Sequence, residues 1–118
     1  EAAGKTMLIA DAGMNALIRP MLYDAVHPVS AVGGGGRHET VTVAGPLCET
    51  GDILARDIRL PVTAAGDLLA IGCAGAYGFS MASQYNGRPR PAEVLWDRGR
   101  AVLIRRRETY ADLWRGEP

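Results

Sequence analysis

The sequence predicts a mostly β domain, a small β-barrel or β-sandwich with two short helices. Two observations carry this. Turn formers are abundant, with 15 glycines and 7 prolines in 118 residues, yet fewer than in a low-complexity chain. Between them the apolar residues fall in short runs, and hydrophobic residues make up 47% of the chain.

Lys5-Thr6-Met7-Leu8-Ile9-Ala10 reads as the first strand, stopped by Asp11-Ala12-Gly13. Residues 14–25 resemble a short helix that Pro20 interrupts. Proline pushes the preceding residue out of the α region, so the helix is expected to start at Pro20, with Arg19 as its N-cap. His27-Pro28 is expected to end it. Residues 31–37 form a loop containing Gly33, Gly34, Gly35 and Gly36. These glycines match neither phosphate-loop nor dinucleotide spacing, so they read as a flexible connector.

Glu39-Thr40-Val41-Thr42-Val43-Ala44 alternates apolar and polar, the pattern of a half-buried strand. Gly45-Pro46 breaks it, and residues 47–52 follow as a loop. Ile53-Leu54-Ala55 is a further short strand. A turn at residues 64–67 leads into Leu68-Leu69-Ala70-Ile71-Gly72, whose continuous apolar character predicts a buried strand. Residues 93–96 and 101–105 form a hairpin across Asp97-Arg98-Gly99-Arg100. Thr109, with Asp112 three residues on, has the form of a capping box, placing a final helix over residues 110–115.

Length and charge exclude several functions. At 118 residues the chain is one domain at most, spanning 1–118. It cannot contain a complete α/β barrel of about 250 residues. No apolar stretch approaches the ~20 residues of a membrane helix, and the N-terminus has no signal-peptide pattern, so no membrane role is expected. Thirteen basic and 13 acidic residues leave a net charge of zero, which argues against nucleic acid as a partner. Arginines do gather late, from Arg88 to Arg107, but as solvated strand faces and turn ends. Cys48 and Cys73 have no zinc spacing and suggest no disulfide framework, so a reducing, cytoplasmic setting is expected and no metal site.

Three constellations could carry chemistry. Arg19 beside Pro20, with Tyr23 one turn on, would place a guanidinium fork and a hydroxyl at a helix N-terminus, a clamp for a carboxylate. The alternative is a surface arginine beside a core tyrosine. Cys48 and Glu49 share the loop after Gly45-Pro46. The thiol could donate a proton near neutral pH and the carboxylate could hold an ammonium group. The alternative is a buried apolar thiol beside a turn acid. Tyr77, between Gly75 and Gly78, could project from a strand end toward a ligand. The alternative is a packed tyrosine at a β corner.

Together these segments resemble the C-terminal β domain of the diaminopimelate decarboxylases, a fold-type III pyridoxal-phosphate-dependent family. The matching residues are Asp11-Ala12-Gly13-Met14-Asn15, Leu17-Ile18-Arg19-Pro20 with Tyr23, and Gly45-Pro46-Leu47-Cys48-Glu49-Thr50-Gly51-Asp52. Gly66-Asp67, Gly75-Ala76-Tyr77-Gly78, Tyr85-Asn86, residues 88–94 and Arg107-Glu108-Thr109-Tyr110 follow in family order. Ala16, Thr50 and Gln84 depart from the residues common in the family.

The resemblance implies decarboxylation of meso-diaminopimelate to L-lysine, the last step of lysine biosynthesis. It implies an N-terminal α/β barrel of the same enzyme, absent here, and a homodimer whose active site lies between one subunit's barrel and its partner's β domain. Arg19 and Tyr23 would hold the substrate's distal carboxylate, and Glu49 its ammonium from across the dimer. Cys48 would be the catalytic proton donor, and Tyr77 would contact both substrate and cofactor. The family's imine lysine belongs to the barrel, and Lys5 is the only lysine here. The resemblance therefore implies an incomplete C-terminal domain that is inactive alone. The alternatives are a related ornithine, arginine or carboxynorspermidine decarboxylase, or a freestanding β-domain that binds a partner or small acid.

Overall fold

The computed structural model describes residues 6–118, so the expected strand start at Lys5 lies outside the described residues. The class is mostly β. In chain order the elements are β1 (Thr6–Ile9), α1 (Arg19–Tyr23), β2 (Val29–Ala31), β3 (His38–Ala44), β4 (Ile53–Pro61), β5 (Leu69–Ile71), β6 (Glu93–Asp97), β7 (Arg100–Arg105) and α2 (Tyr110–Leu113). Among the described residues their ladders form three sheets, β1-β3-β4, β2-β5 and β6-β7.

β3 is the centre of the largest sheet. It pairs parallel with β1, from Thr6↔Val41 to Ile9↔Ala44, and antiparallel with β4. The alternation in residues 39–44 predicted a half-buried strand, but Val41, Thr42, Val43 and Ala44 are all buried. A bulge explains how Thr42 is accommodated. Val41 pairs with Ile58 and Val43 with Ala55, so β4 carries one residue more than β3 between these points. Asp57 takes a left-handed φ of 50° there, and its N–H donates to the Thr42 hydroxyl at 3.4 Å. This bulge also lets β4 run to Pro61, well beyond the expected Ile53-Leu54-Ala55.

The core is Leu17, Val41, Val43, Leu54 and Leu60, with Leu8, Val29, Ile58, Leu69 and Ile71 packed around it. It therefore lies between the three-stranded sheet and the β2-β5 pair. β2 was not expected; its three residues sit between Pro28 and the glycine loop. β5 is only partly buried, and Leu68, expected inside, is 68% exposed. A two-stranded sheet with one covered face cannot bury every residue of a continuous apolar run.

α1 begins one residue earlier than predicted. Ile18, in αR geometry, is the N-cap, Arg19 is the first helical residue, and the Leu22 N–H bonds to the Ile18 carbonyl at 2.9 Å. Pro20 still lies in the first turn, where a missing N–H costs nothing. The helix stops at Tyr23 because Asp24 turns left-handed at φ 52°, before His27-Pro28 is reached. With five residues, α1 has little macrodipole to offer a ligand.

The β6-β7 hairpin turns through Arg98 and Gly99, both at positive φ (47° and 79°), which suits the twist of a two-residue hairpin. α2 covers residues 110–113, shorter than the expected 110–115. It is capped reciprocally by Thr109 and Asp112.

One buried side chain ties the loops together. Asp52 is 2% exposed, and its two carboxylate oxygens accept the Met14 N–H at 2.6 Å and the Leu47 N–H at 2.7 Å. The segments carrying those donors come close enough to require glycine. A Cβ at Gly13 would lie 2.4 Å from Asp52 Oδ1, and one at Gly45 would lie 2.3 Å from Oδ2. Gly13→Ala is accordingly expected to cost about 1–3 kcal/mol through overpacking. Asp52→Ala should cost about 2–5 kcal/mol by leaving the buried Met14 N–H and the half-buried Leu47 N–H unpaired. Denaturant midpoints check both, and an unshifted Asp52→Ala midpoint would contradict this role.

Candidate functional site

The structure gathers the predicted site residues into two clusters. In the first, the Arg19 guanidinium lies 5.6 Å from the Tyr23 ring centroid and 5.0 Å from that of Tyr77. Tyr23 is 61% exposed and Tyr77 56% exposed, so neither is a core tyrosine. Cation–π contact with two rings orients the guanidinium while leaving its N–H donors available. Because α1 is so short, the clamp rests on this guanidinium and the two phenol hydroxyls.

Tyr77 does not project from a strand end, since β5 stops at Ile71. It lies in a run of tight turns in which the Gly78 N–H bonds to the Ala74 carbonyl at 2.8 Å and the Met81 N–H to the Tyr77 carbonyl at 3.1 Å. Gly78 is needed here: a Cβ would sit 2.7 Å from the Ala74 carbonyl oxygen. The Ser83 N–H then bonds to the Asn15 carbonyl at 2.9 Å, fastening this loop to the segment that leads into Arg19.

The second cluster holds Cys48 and Glu49. Cys48 is a free, exposed thiol and not the buried apolar group of the alternative reading. Glu49 Oε2 accepts a hydrogen bond from the Tyr85 hydroxyl at 3.0 Å. That bond and the Glu49 charge hold the Tyr85 hydroxyl above its usual ionisation range, so it stays a donor. Tyr85 belonged to the recognised Tyr-Asn pair, but nothing local in the sequence pointed to Glu49, 36 residues away.

A clamp holds the residues on both sides of Tyr85. Glu108 accepts from Gln84 Nε2 at 3.0 Å, from the Arg90 N–H at 2.8 Å and from Arg90 Nε at 2.9 Å. Arg88 Nη2 donates to the Asp11 carbonyl at 3.1 Å. The guanidinium carbons of Arg90 and Arg105 lie 5.2 and 4.0 Å from the Phe79 ring centroid, linking the Tyr77 loop to the same clamp. Arg106 pairs with Asp112 and holds its carboxyl well below the usual carboxylate range.

No group of three or more potential metal ligands occurs among the described residues. A pyridoxal phosphate group would find an exposed phenol donor at Tyr77, which suits the anionic phosphate.

Comparison with known proteins shows the family of the chain. Residues 1–75 match the family described as pyridoxal-dependent decarboxylase, C-terminal sheet domain. A Deinococcus radiodurans protein named diaminopimelate decarboxylase is 51% identical over 114 residues, which is 97% of this chain and 30% of that protein. The crystal structure of diaminopimelate decarboxylase from M. jannaschii matches with a TM-score of 0.96 at 43% identity, over 100% of this chain and 27% of that one. A co-complex of the M. jannaschii protein with L-lysine matches equally well, again at a TM-score of 0.96 and 43% identity over 100% of this chain and 27% of that one. The chain thus spans less than a third of the length of the proteins it matches.

The clamp gives a pH prediction. Hydrogen bonds from the Arg90 side chain and backbone, with help from Gln84, lower the Glu108 carboxyl from 4.5 to about 2. Its stabilisation should be fully present above the unfolded value of 4.5 and be lost as pH falls through about 2. The difference in thermal midpoint between wild type and Glu108→Gln should therefore shrink across that window. A difference that stays constant with pH would show that ionised Glu108 is not what the clamp depends on.

Proposed function

This chain belongs to the pyridoxal-dependent decarboxylases, through their C-terminal sheet domain, and we propose that it is the substrate-recognition part of a diaminopimelate decarboxylase. The observation that carries this is the pairing of complementary groups: a guanidinium braced by exposed Tyr23 and Tyr77, and an exposed thiol beside a hydrogen-bonded carboxylate. meso-Diaminopimelate presents a matching set. One end reacts, while the other is an amino acid zwitterion needing both a cation and an anion to hold it.

In this reading Arg19 and the Tyr23 hydroxyl bind the distal carboxylate. Glu49 binds the distal ammonium. Pyridoxal phosphate, which an α/β barrel of the same enzyme would mainly hold, would supply the electron sink for the pair left on the α-carbon when CO₂ departs. Cys48 Sγ gives its proton to that carbon, and the thiolate recovers one from water. Tyr77 steadies Arg19 and offers its hydroxyl to the cofactor's phosphate. Cys48 and Glu49 are sequence neighbours on one loop and Arg19 belongs to another cluster, which suits a homodimer in which each β domain serves its partner's barrel. A cytoplasmic setting suits a cysteine that must stay a thiol.

The test is steady-state kinetics on the complete enzyme carrying this chain. Glu49→Gln should raise KM for meso-diaminopimelate about tenfold or more, the order expected for losing a charged hydrogen bond. Cys48→Ala should lower kcat by about 10²–10⁴ with a smaller change in KM. Wild-type turnover by Cys48→Ala would remove the thiol from proton transfer. Preference for ornithine, arginine or carboxynorspermidine in a substrate panel would move the assignment to a sister decarboxylase.

A further inference from the structure

We infer that Tyr85 is a positioning residue that sets substrate selectivity by fixing the carboxylate of Glu49. The inference rests on the reading that Glu49 receives the distal ammonium. The Tyr85 hydroxyl donates to Glu49 Oε2 at 3.0 Å. A glutamate on a loop samples several rotamers, and locking them on binding costs free energy. A donor already seated on Oε2 restricts the carboxylate before substrate arrives and leaves Oε1 to face a cation.

Tyr85 is built to perform this task. It is 46% exposed, so its ring does not serve the core. It opens the 3₁₀ turn Tyr85–Gly87, in which Asn86 takes a left-handed φ of 57°. The residues on either side are held fast. Glu108 grips Gln84 and Arg90, Arg88 reaches the Asp11 carbonyl, and the Ser83 N–H bonds to the Asn15 carbonyl. These bonds span the turn from both sides and hold the hydroxyl at the Cys48–Glu49 loop. The contribution is selective, because only a ligand with a cationic group at the distal end gains from an oriented Glu49.

The experiment uses Tyr85→Phe, Glu49→Gln and the double variant of the complete enzyme. KM and kcat are measured for meso-diaminopimelate, together with competitive inhibition by 2-aminopimelate, which lacks the distal amino group. Tyr85→Phe should raise KM about fivefold to twentyfold, as for a lost hydrogen bond to a charged group, with kcat within about twofold of wild type. The double variant should be no worse than Glu49→Gln, and the 2-aminopimelate inhibition constant should not change in Tyr85→Phe. Unchanged KM in Tyr85→Phe alongside raised KM in Glu49→Gln would overturn the role of Tyr85 alone. Equal loss of affinity for 2-aminopimelate, or additive losses in the double variant, would do the same. Unchanged KM in Glu49→Gln would overturn the assignment of Glu49, and with it the inference.

Discussion

Asp52 accepts two backbone N–H groups from segments far apart in the chain, and both glycines that approach its carboxylate leave no room for a side chain. One donor, Met14, begins the turn that leads into Arg19. The other, Leu47, immediately precedes Cys48 and Glu49. A single buried carboxylate therefore sets the placement of both candidate clusters. Buried polar groups are tolerated only when paired, so the same bonds that satisfy Asp52 also constrain the loops that supply them. The Gly-Pro-Leu-Cys-Glu-Thr-Gly-Asp block thus combines two kinds of residue: Gly45 and Asp52 build the loop, while Cys48 and Glu49 are presented by it.

The second constraint is electrostatic. Glu108 draws Arg90 and Gln84 into one cluster, and Arg90 and Arg105 both lie over Phe79. Most of the late arginines had looked like solvated faces in the sequence. Arg88 and Arg90 have partners in Asp11 and Glu108 that hold the chain beside Tyr85, while Arg105 pairs with Glu93 within the hairpin and Arg106 with Asp112 at α2. A small core built around Leu17, Val41, Val43, Leu54 and Leu60 leaves such loops to be held by polar contacts.

Local chemistry was legible in the sequence where its cause was local. The capping box at Thr109, the hairpin through Arg98-Gly99, and the break at Gly45-Pro46 each depend on neighbouring residues, and each is present in the fold. Arg19, Tyr23 and Tyr77 were singled out separately, and the structure brings them together. What stayed hidden depended on distant partners. β2 is three residues long and exists because β5 pairs with it. The extension of β4 depends on a left-handed Asp57, which interrupts the alternating pattern. The boundary of α1 was misplaced by the rule for residues preceding proline, because Ile18 had already entered αR geometry. Tyr85 gained its meaning only through Glu49.

The β6-β7 ribbon has a consequence for handling the protein. Trp96 is 72% exposed, and Val94, Leu95, Leu103 and Ile104 are each 50–61% exposed, so both faces of the two strands are apolar and wet. Charges bracket the ribbon, with Glu93 and Arg105 paired at one end and Asp97, Arg98 and Arg100 at the turn. Flanking charges of this kind act as gatekeepers against strand-to-strand stacking. They protect the ends of the ribbon and leave its middle sticky. Expressed as 118 residues, the chain therefore depends for its colloidal solubility on a handful of charged side chains at the two ends of one hairpin.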